Sequence, residues 1–166
     1  LRAINGAYVH KMDPAEFAKA AEPYIRETVK RTDIDMALLC SVLQNRTEVF
    51  SDIPEQVDFI DAMPEYDLEM YRHKKMKTTP ETALDALKET LPVLEGVSEW
   101  DVEHIHEALF AKIADLGVKN GWMLWPLRTA VSGKQMTPAG ATEIMEVLGK
   151  EESLARIRKG IQMLEA

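Results

Sequence analysis

The sequence predicts an all-α protein. Three observations support this. Apolar residues recur at helical spacing along most of the chain, as in Met36, Leu39, Cys40 and Leu43 or Val102, Ile105, Leu109, Ile113 and Leu116. Capping residues and N-terminal prolines precede several of these runs. No segment alternates apolar and polar residues for long, and no Asn-Gly or Asp-Gly joins two alternating runs. No period of fixed length repeats, which argues against a regular solenoid.

The elements follow in order. Asp13-Pro14 predicts a helix start, because Asp accepts from free amides and Pro in the first turn loses no bond. Phe17, Ala20, Ala21, Tyr24, Ile25 and Val29 form its stripe, with Pro23 breaking or kinking the run. Asp33 or Asp35 opens the helix of Met36 to Leu43, and Ser51 or Asp52 before Pro54 starts a short one carrying Val57, Phe59 and Ile60. Residues 61–78 are the least regular. Pro64 and the run His73-Lys74-Lys75-Met76-Lys77 predict a loop or short turns there. This stretch is the natural divide between two helical subdomains, residues 1–72 and residues 73–166.

Thr79-Pro80 begins a helix with Ala83, Leu84, Leu87 and Leu91 inward. Ser98 and Asp101 have capping-box spacing ahead of Val102, and that helix ends near Gly117. Trp122 to about Val131 is the next helix. Thr137-Pro138 is expected to cap another that runs to Gly149, and the last spans about Glu151 to Leu164. Together they predict a helical bundle, a cage of two small subdomains.

A chain of 166 residues can bury roughly 70% of its unfolded surface, enough for one compact domain or two small ones. Its single cysteine, Cys40, cannot close an internal disulfide. There is no apolar run near the ~20 residues a membrane helix needs, and a cytoplasmic location is expected. The first residue is Leu rather than Met, which suggests a cut from something longer.

Charge is uneven. The formal net charge is −8, unfavourable for a nucleic-acid binder. Yet residues 1–116 hold 13 basic and 23 acidic side chains, whereas residues 117–166 hold 7 and 5. From Leu116 to Thr142 there is no carboxylate, while Lys119, Arg128, Lys134, Trp122 and Trp125 are present. This is either a buried helix with few charges or a cationic corner.

Catalytic patterns are absent. There is no phosphate-cradling glycine loop, no nucleophile elbow and no Cys-x-x-Cys. His104 and His106, two apart on a helix, point away from each other, so no metal ligand set is expected. No catalytic residue is assigned. Binding candidates do exist. Arg128 offers a planar fork suited to a base edge, a phosphate or a carboxylate. Arg46 could satisfy helix-end carbonyls or read a splayed base. Thr137-Pro138 could expose helix amides to an acceptor or serve as an ordinary cap. Trp122 and Trp125 share a helix face and suit core packing or base stacking.

Taken together, these stretches resemble the C-terminal half of bacterial glutamyl-tRNA synthetases. The most specific segment is Lys119-Asn120-Gly121-Trp122-Met123-Leu124-Trp125-Pro126-Leu127-Arg128-Thr129-Ala130-Val131-Ser132-Gly133. Thr137-Pro138 and Leu148-Gly149-Lys150-Glu151-Glu152-Ser153-Leu154 follow it. Further matches are Asn5-Gly6-x-Tyr8, Asp13-Pro14-Ala15-Glu16-Phe17 and Asp52-Ile53-Pro54-Glu55-Gln56-Val57-Asp58-Phe59.

The resemblance implies an α-helical cage that grips the anticodon loop of glutamate tRNA. It implies a catalytic domain upstream that uses ATP and magnesium through HIGH-type and KMSKS-type signatures. Neither signature occurs here, so this chain is expected to bind no cofactor, to be no enzyme on its own, and to be monomeric. By the same resemblance Arg46 is the reader of the third anticodon base. Arg at this position goes with enzymes restricted to glutamate tRNA, and Gln with forms that also charge glutamine tRNA. Arg128 would contact the first two bases, with Thr137 and Pro138 forming the turn beneath them. Ala139-Gly140-Ala141-Thr142 departs from the family pattern by one extra residue and by lacking large apolar side chains. An anticodon loop is single-stranded, so a few side chains can read its unstacked bases. The class alternative is a helical protein-interaction module with no RNA role, motivated by the acidic first half.

Overall fold

The computed structural model describes residues 2–166, with side chains from Gly6 onward; Leu1 and the side chain of Asn5 lie outside that description. Among the described residues there are nine α-helices and no strand, only an isolated antiparallel bridge between His73 and Thr78. The helices are α1 (Arg2–Lys11), α2 (Pro14–Arg26), α3 (Met36–Arg46), α4 (Ile53–Gln56), α5 (Pro80–Glu95), α6 (Val102–Leu116), α7 (Asn120–Ser132), α8 (Ala141–Leu148) and α9 (Lys150–Glu165). Among the described residues, no helix is long and apolar enough to cross a membrane.

Local chemistry sets most of the boundaries. Asp35 rather than Asp33 caps α3, its carboxylate accepting from the Leu38 amide at 3.0 Å. Thr79 caps α5 through a reciprocal box with Thr82. Gly117 ends α6 at φ 68°, a left-handed conformation that costs glycine nothing. Asp13 stands at the α2 N-cap position, but its side chain caps no amide. The box expected at Ser98 does not form. Asp101 is itself the cap of α6 and accepts from the His104 amide at 2.8 Å. Pro23 does not break α2, which continues one turn to Arg26. Its ring lies late in the helix, so only the Lys19 carbonyl loses a donor.

Thr137-Pro138 does not open a helix. α8 begins at Ala141 with Gly140 as its cap residue. The Thr137 hydroxyl, which would have capped, donates to the Ala139 carbonyl at 2.6 Å and accepts from Arg128 at 3.0 Å. A tertiary contact thereby takes the local capping group and holds 137–140 as a loop. The short helix at Pro54 is also smaller than expected. It ends at Gln56, and Val57, Phe59 and Ile60 enter the core from the following turn.

One apolar cluster runs from Val9 to Ile157. α5 lies against α7 and α9, α2 against α3, and α3 meets α8. Residues 61–78 are irregular as expected, but Tyr71 is fully buried at the centre of that stretch. Its hydroxyl pairs with that of Tyr66 at 2.7 Å. The backbone of Gly160 passes so close that an added Cβ would sit 2.9 Å from the Tyr71 hydroxyl.

Two polar seams join the segments. Arg156 on α9 is 4% exposed and donates to the carbonyls of Val131 (2.7 Å) and Ile60 (3.2 Å), with Glu152 as its ion-pair partner at 3.0 Å. Glu146 on α8 accepts from the Val102 amide at 2.8 Å and shares a hydrogen bond with Asp35. That shared bond raises the Glu146 carboxyl above its ordinary 4.5 and lowers Asp35. A raised carboxyl value means that ionising Glu146 costs the folded state stability above that value. E146Q keeps an acceptor for Val102 and removes the charge. It should raise stability at pH 7 by about 0.5 kcal/mol, the scale of a partly exposed charge interaction. The gain should shrink as pH falls through the folded value and be absent below 4.5. Melting temperatures at pH 7 and pH 4 test this; an equal difference at both pH values would contradict it.

Candidate anticodon-loop interface

α3 and α7 deliver the two arginines singled out in the sequence. Arg46 is the last residue of α3, exposed where the chain turns out through Thr47 in extended conformation. α7 carries Arg128 one turn before its end, half-buried. Gly133 at φ 63° stops α7 and reverses the chain, so that 134–138 runs back past Arg128.

Arg46, Thr137 and Pro138 line one open cavity of about 370 Å³, with Asp52, Glu55, Gln56, Lys134 and Met136. Arg128 stands behind its wall. One guanidinium nitrogen donates to Thr137 Oγ1 at 3.0 Å and another to the Gln135 carbonyl at 2.7 Å. The guanidinium also lies 4.6 Å from the Trp125 ring centroid. Burial lowers the Arg128 value, and the positive charge of Arg46 acts in the same direction. The two cations therefore feel each other across the site, and neither is sealed in hydrocarbon. The fold thus brings together the four residues picked from sequence, three on the cavity surface and one bracing it.

Sequence reasoning missed the opposite wall. The window Leu116–Thr142 lacks carboxylates along the chain but not in space. Lys134 pairs with Asp58 at 2.8 Å and donates to the Glu55 carbonyl. Asp52 and Glu55 also face the cavity. Positive potential from the window is thus partly neutralised by the 52–58 turn. The cavity offers donors and acceptors side by side, and its carboxylates disfavour phosphate relative to an uncharged base edge. Met136, at 77% exposure, adds a bare apolar contact at the rim. The Asp52-Ile53-Pro54-Glu55-Gln56 stretch is the available signal; spacing marks it as a helix start and the resemblance as a family segment, and neither places its carboxylates opposite Lys134.

Trp125 is already occupied. Its indole donates to the Met70 carbonyl at 3.2 Å, and its ring meets His73 at 4.3 Å between centroids as well as Arg128. Trp122 instead borders a second cleft near Lys75 and Lys119. Ala139, Ala141 and Thr142 are buried, and Ala139 lines a small gap with Leu39, Val42 and Ile144. His104 and His106 do not converge: His104 pairs with Asp101 (2.7 Å) and Glu99 (3.2 Å), while His106 stacks on Phe110. Glu99, Asp101 and His104 are the one group of metal-capable side chains among the described residues, and Asp101 of this group caps α6.

Residues 16–161 match the family model described as an anticodon binding domain. The chain is 51% identical to the glutamate–tRNA ligase of Clostridium acetobutylicum, over 99% of this chain and 34% of that protein. It is 48% identical to the ligase of the same description from Clostridium tetani, with the same coverage of each. The chain thus spans about a third of the length of these relatives. Among solved structures, a glutamate tRNA ligase from Elizabethkingia meningosepticum superposes with a TM-score of 0.79 at 23% identity, covering 98% of this chain and 32% of that one. A glutamate-tRNA synthetase from Elizabethkingia anophelis gives 0.73 at 21%.

Proposed function

Since the chain belongs to the anticodon-binding domain family, we propose that it is the anticodon-reading part of a glutamate–tRNA ligase. Its RNA partner would be the anticodon loop of glutamate tRNA. The observation that supports this reading is the shared cavity: Arg46 and Thr137-Pro138 face one hollow, and Arg128 fixes its wall.

In this reading flipped-out bases enter the hollow with their edges toward its walls. Arg46, exposed and long, reads the third base by donating two hydrogen bonds to it. Arg128 holds the 135–137 loop in place and turns its remaining donors to the first two bases. Thr137 and Pro138 form the floor under them. Asp52 and Glu55 can accept from exocyclic amines, so the cavity senses donor as well as acceptor positions. The division at residues 72 and 73 belongs to the same proposal, since one wall comes from each part. ATP, magnesium and glutamate chemistry are assigned to the rest of such an enzyme. Purified alone, these 166 residues should produce no turnover with ATP and glutamate; measurable turnover would contradict that.

R46Q tests the reading. The variant should keep its fold, because Arg46 is exposed. Its preference for a glutamate anticodon stem-loop over one altered at the third base should fall by roughly 1–3 kcal/mol, the worth of one bidentate base contact. An unchanged preference would remove Arg46 from the reading set. A stable protein partner recovered with no RNA binding would favour the interaction-module alternative.

A further inference from the structure

A row of side chains leads from Arg128 back along α7. Trp125 and Trp122 precede it at intervals of three and Lys119 stands at the N-cap position; each step turns about 60° around the axis, so the row winds from the Arg128 side to the opposite side. At its far end lies a second cleft of about 240 Å³, lined by Lys75, Met76, Lys77, Val118, Lys119, Gly121 and Trp122. No carboxylate lines it. Lys74, Lys75, Lys77 and Lys119 are exposed, and none forms an ion pair with a described residue.

The lysine turn is built, not loose. His73 and Thr78 exchange both backbone hydrogen bonds at 3.1 Å, and His73 Nδ1 accepts from the Met76 amide at 3.1 Å. Lys77 is held at φ 57°, a conformation unfavourable for a residue with a Cβ. Met76 packs onto the bare backbone of Gly121, where a Cβ would lie 2.4 Å from its sulfur. The His73 ring leans on Trp125, which ties the turn to the ring beneath Arg128. In a chain of net charge −8 this is a fixed, unneutralised cluster beside an aromatic wall.

We propose that this cleft is a second RNA contact, at which Lys75, Lys77 and Lys119 hold the phosphates of a nucleotide adjoining the anticodon while Trp122 flanks its base. The proposal rests on the anticodon-loop reading and extends it along α7. Unlike the first cavity, this one is lined by no carboxylate, so it suits phosphate, a contact that carries no base discrimination. Single-stranded RNA is commonly held this way, by a cationic groove with an aromatic platform.

The test uses K75A/K77A/K119A and the unaltered chain with the same stem-loop, in salt titrations. The three side chains are exposed, and circular dichroism checks the fold. Affinity should fall on the order of tenfold at low salt. The slope of log affinity against log salt should flatten by about two, because each phosphate neutralised on a single strand contributes about 0.7. Third-base preference should stay as in the unaltered chain. In an ¹H–¹⁵N spectrum the Trp122 indole should shift on RNA addition, while that of Trp100, bonded to the Met145 carbonyl, should not. An unchanged slope and a still Trp122 resonance, with R46Q still losing discrimination, would overturn this proposal and leave the anticodon reading intact; the cluster would then be a protein-facing surface. If the unaltered chain bound no stem-loop at all, both would fall.

Discussion

R128K should weaken binding of the glutamate anticodon stem-loop by about 2 kcal/mol, the scale of a charge-assisted hydrogen bond left unmade. Arginine here does three things with one planar group. It donates to Thr137 Oγ1, donates to the Gln135 carbonyl, and lies over the Trp125 ring. A lysine keeps the charge but has a single nitrogen, so it cannot bridge both oxygens and also cover the indole. The 135–137 segment would lose its brace, and the cavity floor would lose its position. Folding stability should fall by about 1–2 kcal/mol as well, since the Thr137 and Gln135 acceptors are left poorly served. Titration with the stem-loop and urea unfolding measure the two effects separately. Full affinity in R128K would mean that charge alone matters and that the fork geometry has no role.

The largest loss of stability is expected from R156L, about 3–5 kcal/mol by urea denaturation. Arg156 stitches three segments at once: α9, the last turn of α7 through Val131, and the 57–60 turn through Ile60. Leucine fills much of the volume but leaves two carbonyls without a donor. Each unsatisfied buried group costs about 1–3 kcal/mol. The two carbonyls border the segments that carry Lys134 and Asp58, so a surviving fold should also bind RNA less well. R158A offers the contrast. Arg158 pairs with Glu95 at 2.8 Å, but both side chains are about half exposed, and its removal should cost less than about 1 kcal/mol. Equal losses in the two variants would contradict the role given to burial.

The helical character of the chain was legible because its causes are local. Asp35, Thr79 and Gly117 act on amides and carbonyls within four residues of themselves. Thr137 was misread because its hydroxyl answers to Arg128, nine residues back, and not to its own following turn. Arg156 was invisible for a related reason. It lies in the same buried stripe as Ser153, Ile157 and Gly160, yet nothing along the chain announces the carbonyls of Ile60 and Val131 that it meets. The candidate site shows the same division. Spacing offered Arg46 and Arg128 as separate cations, each with an ordinary structural use. Their pairing came only from the family resemblance. The carboxylates Asp52, Glu55 and Asp58 join from a turn about eighty residues away from Lys134, which no local pattern encodes.

The claim most exposed to refutation is that Arg46 and Arg128 serve one bound RNA loop. Side-chain Nε–Hε resonances of the arginines, followed as unlabelled glutamate stem-loop is added to ¹⁵N-labelled protein, report on both at once. Arg46 and Arg128 should move together and saturate at the same RNA concentration, while Arg156, buried against backbone carbonyls, stays in place. Saturable binding that leaves both resonances where they began would show that the RNA sits elsewhere and that the shared cavity is not the reader.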